Sequence, residues 1–456
     1  MSLLLSPDQL PGGWALGRIK NSIVDSRNGI WGGDPDGEND IRCVRVADFD
    51  RAIQRIQDRD VTVRAVSASE RRGRVLQAGD LLLEKSGGGE KSPVGFVVLY
   101  DRAEPAVCSN FVARVVLKEG MDPRYWTYVH GANYALRVTS RSVRQSTGIQ
   151  NLDETSYFNE VVPFPPAEAQ IEIANYLDRE TAEIDAFIAD QEELIRLLTE
   201  RRAATISHAV TKGLDPTAPM KDSGVEWLGQ VPRHWSVTRV SRYFSVVLGK
   251  MLDAGKVASV DATVLPYVRA ANIQESGLDL KSVNEMPFTR AEVRSLDIRQ
   301  EDLLVVEGGA VGVNVHLAAG MPGWGFQKTV NRVRSSSRAG STRFLGFALD
   351  SLRWNGVIDM LSNKSTIAHL TAEKLERILL AFPPADEQAR IVRHIEKAIA
   401  EVDSAAGDAR EAIALSRERR AALISAAVTG KIDVRESAAF QNRHNRSKTD
   451  TFESAS

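Results

Sequence analysis

Cysteine is nearly absent from this chain: Cys43 and Cys108 are the only two in 456 residues. Two thiols so far apart offer neither a disulfide framework nor a zinc-ligand spacing, which fits a reducing, cytoplasmic compartment. No apolar run approaches the roughly 18 residues that a membrane-crossing helix needs. The opening MSLLLSPDQLPGG has leucines without a basic stretch before them, so no signal peptide is expected. An excess of one charge is missing too, with 58 Lys and Arg against 60 Asp and Glu. Whole-chain charge therefore gives no support to nucleic-acid binding, although residues 216–381 hold 20 basic against 16 acidic side chains. HExxH, GxSxG and clustered metal-ligand patterns do not occur. In SGGGEKS (Ser86–Ser92), Glu90 precedes Lys91 and Pro93 follows, so the Gly-Lys step and the helix of a phosphate loop are missing. Phe-Pro-Pro occurs twice, but without the Asn that amino-methyltransferases place before their two prolines. These absences point away from an enzyme.

What is present is a repeat. FPPAEAQIEIANYL from Phe164 returns as FPPADEQARIVRHI from Phe382, an offset of 218 residues. The match runs without a gap to ERRAATISHAVTKGLD (Glu200–Asp215) against ERRAALISAAVTGKID (Glu418–Asp433). Weaker echoes come earlier in each half: LPGGWALGRI with VPRHWSVTRV, VRVADF with VRAANI, and GDLLL with EDLLV. Their offsets drift by a few residues, as loop insertions in a duplicated fold would make them drift. The order is globule, helix, globule, helix, and 43% hydrophobic content can supply the cores.

Phe-Pro-Pro fixes an extended approach, and Pro166 suits a first helical turn, where a missing N–H costs little. Steps of four and three then place Leu177, Ile184, Ile188, Ile195 and Leu198 on one stripe of the first helix. Ile395, Ile399, Val402, Ile413 and Leu423 share the corresponding stripe of the second. The stripe from Leu177 to Ala209 has 33 residues, roughly 50 Å of helix. Gly213 and Pro216 end the first helix. Matching seams favour an antiparallel pair with a pseudo-twofold axis; two helices packing separately on their own domains are the alternative.

The globules hold short β-like runs such as RVLQAGDLLLEK, GFVVLY, NFVARVVL and EDLLVVEGG, separated by Gly-rich turns. The fold class expected is α+β: two mixed α/β domains alternating with two long helices that pair as an antiparallel coiled coil. The boundaries are 1–165 and 217–383 for the globules, 166–216 and 384–435 for the helices, and 436–456 for a disordered tail. Side chains suited to phosphates and base edges cluster at three places. Lys85 and Ser86 open the Gly-rich loop. Arg141, Arg144, Gln145 and Ser146 match Asn363, Lys364 and Ser365 in position, just before each Phe-Pro-Pro. Gln327, Lys328, Asn331 and Arg332 lie in GFQKTVNRVR. Solvated faces and helix caps are the plainer reading of any one of them.

Taken together, the alternation of two differing globules with two like helices, PP-x-[DE]-x-Q, ERRxAxIxxAVT and VPxHW resemble the specificity subunit of type I restriction–modification systems. The likeness covers nearly the whole chain up to Arg435, with Ala169 standing where the second copy has Glu387. It implies that each globule is a target-recognition domain for one half of an asymmetric, split double-stranded DNA target. It also implies that the helices set the spacing and dock two methyltransferase subunits, with two restriction/translocase subunits joining for cleavage. The chain itself would be non-catalytic, with no metal or cofactor; S-adenosylmethionine and ATP/Mg would sit on the partners. Its expected location is the cytoplasm of a bacterium or archaeon, at DNA. A methylation-only or phage-exclusion system, or a coiled-coil scaffold whose globules bind proteins, are the alternatives.

Overall fold

A computed structural model describes residues 10–89, 92–146, 148–251, 262–362 and 369–434; the expected tail at 436–456 lies outside them. The chain divides into two compact units, Met1–Glu192 with Arg410–Ser456, and Glu193–Ala409. No helix among the described residues is long and apolar enough to cross a membrane.

In the first unit a four-stranded antiparallel sheet has the order Ile23–Asn28, Val112–Leu117, Leu81–Glu84, Val97–Leu99. Leu81–Glu84 is buried at every residue, so its three leucines run apolar instead of alternating, and the buried Glu84 is met by Arg51 at 2.7 Å. A second sheet sets Asp40–Val44 between Ala106–Cys108, parallel, and Val63–Ala65, antiparallel. Ala15–Arg18 pairs with Val161–Phe164 and so closes the globule beside the first Phe-Pro-Pro. Helix Pro123–Ala135, capped by Asp122, buries Tyr125 and Trp126 in the core. A small sheet of Val143–Ser146, Ile149–Leu152 and Ser86–Gly87 completes the unit.

The second unit repeats this plan. Its four-stranded sheet has the order Phe244–Leu248, Val330–Ser335, Leu303–Val306, Asn314–His316, again antiparallel throughout. Thr263–Val268 lies between Asn284–Phe288, antiparallel, and Gly325–Phe326, parallel. Ser236–Arg239 closes against Leu379–Phe382. Helix Thr342–Trp354, capped by Ser341, takes the place of Pro123–Ala135.

The echoed phrases hold this shared frame together. In GDLLL and EDLLV the aspartate is buried and holds an arginine two-pronged. Asp80 accepts from Arg114 Nε at 2.6 Å and Nη2 at 3.2 Å, and Asp302 from Arg334 Nε and Nη2 at 2.7 Å each. Each also accepts a backbone N–H three residues back, from Gln77 or Arg299, at 2.7 Å. In VRVADF and VRAANI a side-chain oxygen closes a one-turn 3-10 helix, Asp48 on Arg45 N–H at 2.7 Å and Asn272 on Arg269 N–H at 3.1 Å. In VPRHW, Trp235 is buried and donates to Glu387 Oε1 at 3.1 Å, while His234 Nε2 lies 2.7 Å from Glu387 Oε2. Ala169, at the matching place in the first unit, can form no such bond.

The long helices span Ala167–Lys212 and Ala385–Val428, 46 and 44 residues. They outrun the 33-residue stripe because helix begins directly after Pro166 and Pro384, before the stripe starts. The stripe positions Leu177, Ile184, Ile395, Val402 and Ile413 are buried, and Ile188, Ile195, Leu198, Ile399 and Leu423 half-buried. In the first unit Ile173, Ala174 and Leu177 share a core with Ile424, Ala427 and Val428. There Arg420 reaches Asp185 at 2.9 Å and Arg417 reaches Glu192 at 3.1 Å, so the two segments run in opposite directions. In the second unit Ile206, Ala209 and Val210 share a core with Ile391 and Ile395, and Arg202 reaches Asp403 at 2.8 Å.

One carboxylate of the second unit titrates near neutrality. Burial pushes Asp350 up to about 6; Arg353 at 4.0 Å, the Asn314 amide at 2.9 Å and Arg202 oppose the shift, and Glu275 adds to it. A carboxyl whose folded pKa is raised binds its proton more tightly folded than unfolded. Its contribution is complete below the unfolded value and is lost as pH rises through 6. The unfolding free energy of the second unit in urea should therefore fall from pH 4 to pH 7 by up to about 3 kcal/mol relative to Asp350→Asn, whose profile should be flatter.

Candidate nucleic-acid interface

In each unit four connections meet at one edge of the paired sheets, bonded alike through the backbone. Lys85 N–H donates to the Phe111 carbonyl at 2.8 Å, and Glu307 N–H to that of Thr329 at 2.9 Å. Ile30 donates to Cys108 at 2.7 Å, as Lys250 does to Phe326 at 2.9 Å. Ser109 donates to Val44, and Gln327 to Val268, both at 2.9 Å. A glycine allows the close approach in both: a β-carbon at Gly29 would sit 2.1 Å from the Cys108 carbonyl oxygen, and one at Gly249 2.3 Å from that of Gln327.

On this common backbone the side chains diverge. The three-residue turn Ser109-Asn110-Phe111 of the first unit corresponds to Gln327-Lys328-Thr329 of the second. Trp31 corresponds to Met251, and Lys85 to Glu307. In the first unit the loops enclose a cleft of about 540 Å³ lined by Trp31, Arg45, Ser86, Gly88, Asn110 and Phe111 among others. Phe111 is 46% exposed and Trp31 40%, and the Arg64 guanidinium lies over the Trp31 ring at 4.7 Å. In the second unit Lys328 is exposed. Burial raises the Glu307 carboxyl against the pull of His369 and Lys328, and among the described residues its Oε2 has no hydrogen-bond partner.

The residues expected from sequence fall into four groups. Arg141 and Arg144 are exposed, Arg141 Nη1 lying 3.7 Å from Glu160 and Arg144 Nη2 2.5 Å from Asp153. Gln145 is exposed on the small strand that also holds Ser146. Lys328 is exposed, with Gln327 half-buried beside it. Lys85 and Ser86 are in place but engaged, the ammonium with Glu154 and Asn28 and the hydroxyl with Asn151 at 2.5 Å. Asn331 and Arg332 require correction, being only 0% and 5% exposed. Asn331 donates to the Leu370 carbonyl at 2.8 Å, and Arg332 Nη1 to the Ser295 and Asp297 carbonyls at 3.0 and 2.7 Å. Burial withdraws both side chains from any ligand, and the Asn331 amide nitrogen and Arg332 Nη1 are spent on bonds within the unit. Asn363, Lys364 and Ser365 lie outside the described residues.

No protein-family profile matches the chain. It is 22% identical over 377 residues to a protein of Methanocaldococcus jannaschii assigned as the MjaX type I restriction enzyme specificity subunit, covering 79% of this chain and 80% of that one. It is 22% identical over 347 residues to the EcoBI specificity subunit of Escherichia coli, covering 72% and 70%. The chain is a homologue of type I restriction specificity subunits. Solved structures agree on the fold of this specificity-subunit homologue. A chain from work on assembly and conformational transition of a type I R-M system matches with a TM-score of 0.66 at 16% identity, over 93% of this chain and 99% of that one. The HsdS subunit of Thermoanaerobacter tengcongensis matches with a TM-score of 0.53 at 14% identity, over 93% and 98%.

Sequence reasoning missed Trp31, Asn110, Phe111, Glu307 and His369 as members of the homologue's loop edge. The signal available was an aromatic inside a polar turn, SNF, between two apolar runs. Among the described residues, no group of three or more His, Cys, Asp or Glu is placed to hold a metal ion.

Proposed function

We propose that this chain is the DNA-recognition subunit of a type I restriction–modification complex, each unit reading one half of an asymmetric split target. The observation that carries this is the loop edge: one backbone frame, built twice, with different side chains at equivalent places. Side chains that differ on a common frame are what two unlike half-sites require, since base edges specify while phosphate contacts only position. The aromatic Trp31 and Phe111 suit apolar contact with a thymine methyl, whereas Gln327 and Lys328 suit hydrogen bonding to base edges.

The long helices act as the spacer, pairing as an antiparallel coiled coil about a pseudo-twofold axis. Their buried seams and the opposed segments found within each unit support this reading. Two methyltransferase subunits dock on the helices and bring S-adenosylmethionine; motor-nuclease subunits bring ATP and magnesium; this chain contributes no catalytic group. The test is a genome-wide map of methylated adenine in cells carrying the methyltransferase, with and without this chain. One split motif that appears only with the chain, and that changes in one half when residues 1–165 are exchanged, is the expected result. Identical maps with a soluble, expressed partner would overturn the assignment.

A further inference from the structure

Gln170 and Gln388 occupy the same place in the two helix openings, both are fully buried, and both bridge the same three pieces of chain. Each side-chain amide donates to the carbonyl five residues back, Pro165 at 3.0 Å and Pro383 at 2.8 Å. Each side-chain carbonyl accepts the backbone N–H of the residue that caps the globule's own helix, Asp122 at 3.2 Å and Ser341 at 2.9 Å. A third bond joins each set, from Trp126 Nε1 to Gln170 at 3.1 Å and from Gln388 to the Ala339 carbonyl at 2.8 Å, and the Gln170 amide also donates to Met121 Sδ at 3.7 Å. The preceding phenylalanines anchor the same corner, Phe164 against Trp126 at 5.0 Å and Phe382 against Phe344 at 6.3 Å between ring centres.

This is not helix capping. A cap accepts from the free N–H groups of its own helix; these side chains donate to a carbonyl outside it and accept from the start of a different one. The geometry needs a group that donates and accepts at once without charge, which the glutamine amide supplies and glutamate or leucine does not. Breaking such a set leaves several buried polar groups unpaired, so the joint is held far more firmly than one hydrogen bond would hold it.

We infer that Gln170 and Gln388 are positioning residues that fix the angle at which each globule leaves its long helix, and thereby the number of base pairs allowed between the two half-sites. The inference rests on the DNA reading above. A side chain that merely stabilised the globule would change how much complex forms; a joint changes which spacings it accepts.

The experiment is an adenine-methylation map of cells expressing the full chain with its methyltransferase, for wild type, Gln170→Leu and Gln388→Leu. Hydrogen exchange of the Asp122 and Ser341 amides is measured in the purified complexes. Leucine fills similar space and makes none of the bonds. The expected result is unchanged bases in both half-sites, faster exchange at the affected amide, and a roughly tenfold rise in methylation at gaps one base pair longer or shorter, the size that a loss of about 1.4 kcal/mol of discrimination gives. Wild-type gap selectivity in a variant complex whose amide has been freed overturns the inference, as does a change in half-site bases. Should a leucine variant fail to accumulate, Gln388→Glu, which keeps the acceptor and loses the neutral donor, is read by the same criteria. A wild-type map with no split motif overturns the DNA reading and the gap assignment together; a normal wild-type map with unmoved variants overturns the joint alone.

Discussion

Asp80→Ala should destabilise the first unit by about 3–5 kcal/mol, and Asp302→Ala the second by less. The two aspartates occupy equivalent positions and hold equivalent arginines, so the contrast isolates what surrounds them. Among the described residues Arg114 has Asp80 as its one carboxylate partner, with the Gly73 carbonyl 3.3 Å from Nη1. The Arg114 side chain is 11% exposed, so losing Asp80 strands a cation that water can barely reach. Arg334 is 22% exposed and keeps Asp297 at 3.2 Å when Asp302 is gone. Hydrogen exchange of the amides in Leu81–Glu84 and Leu303–Val306 reads the two units separately within the full chain. A loss under about 1 kcal/mol at Asp80 would show that the pair is not what holds the sheet, and equal losses in both units would show that Asp297 does not compensate for Asp302.

Converting the second unit's turn to the first unit's, by Gln327→Ser with Lys328→Asn and Thr329→Phe, should sharply lower methylation at sites carrying the native second half, while the first half of the motif that the map returns stays the same. The backbone of the two turns is bonded alike through the Lys85–Phe111 and Glu307–Thr329 pairs, so the exchange alters side chains on a fixed frame. Thr329 Oγ1 accepts from the Ala270 N–H at 3.1 Å, and phenylalanine forfeits that bond, about 1 kcal/mol that the unit should survive. At each base pair misread, about 1–3 kcal/mol of discrimination is lost, so a drop of ten- to a hundredfold or more in methylation of the native half-site is expected. Intact recognition of both halves would remove this edge from the interface.

Much of this was legible in the sequence. The doubled Phe-Pro-Pro phrase located both long helices to within a residue at their starts, because proline pairs and heptad spacing are local signals. Runs such as GDLLLEK and NFVARVVL located central strands for the same reason. Bonds between distant segments were not legible. Nothing near Gln170 announces Asp122, 48 residues earlier, and nothing in EDLLV announces Arg334. The polar strand Val330–Ser335 misled most, since Asn-Arg-Val-Arg reads as a surface while Asn331 and Arg332 in fact satisfy carbonyls inside the unit. Trp31 and Phe111 went unnoticed because an exposed aromatic in a turn becomes informative only when a second one is found facing the same cleft.

The division of each long helix between units has a consequence for synthesis. The second unit is one continuous stretch, Glu193–Ala409, and can close its core as soon as that stretch has left the ribosome. The first unit cannot, because Ile424, Ala427 and Val428 belong to its core and are made last. At about 5–20 residues per second, the nascent first globule waits roughly 10–50 s with Ile173, Ala174 and Leu177 uncovered. During that interval it is the sticky, protease-sensitive part of the newborn chain, and a truncation just before residue 410 would trap it there.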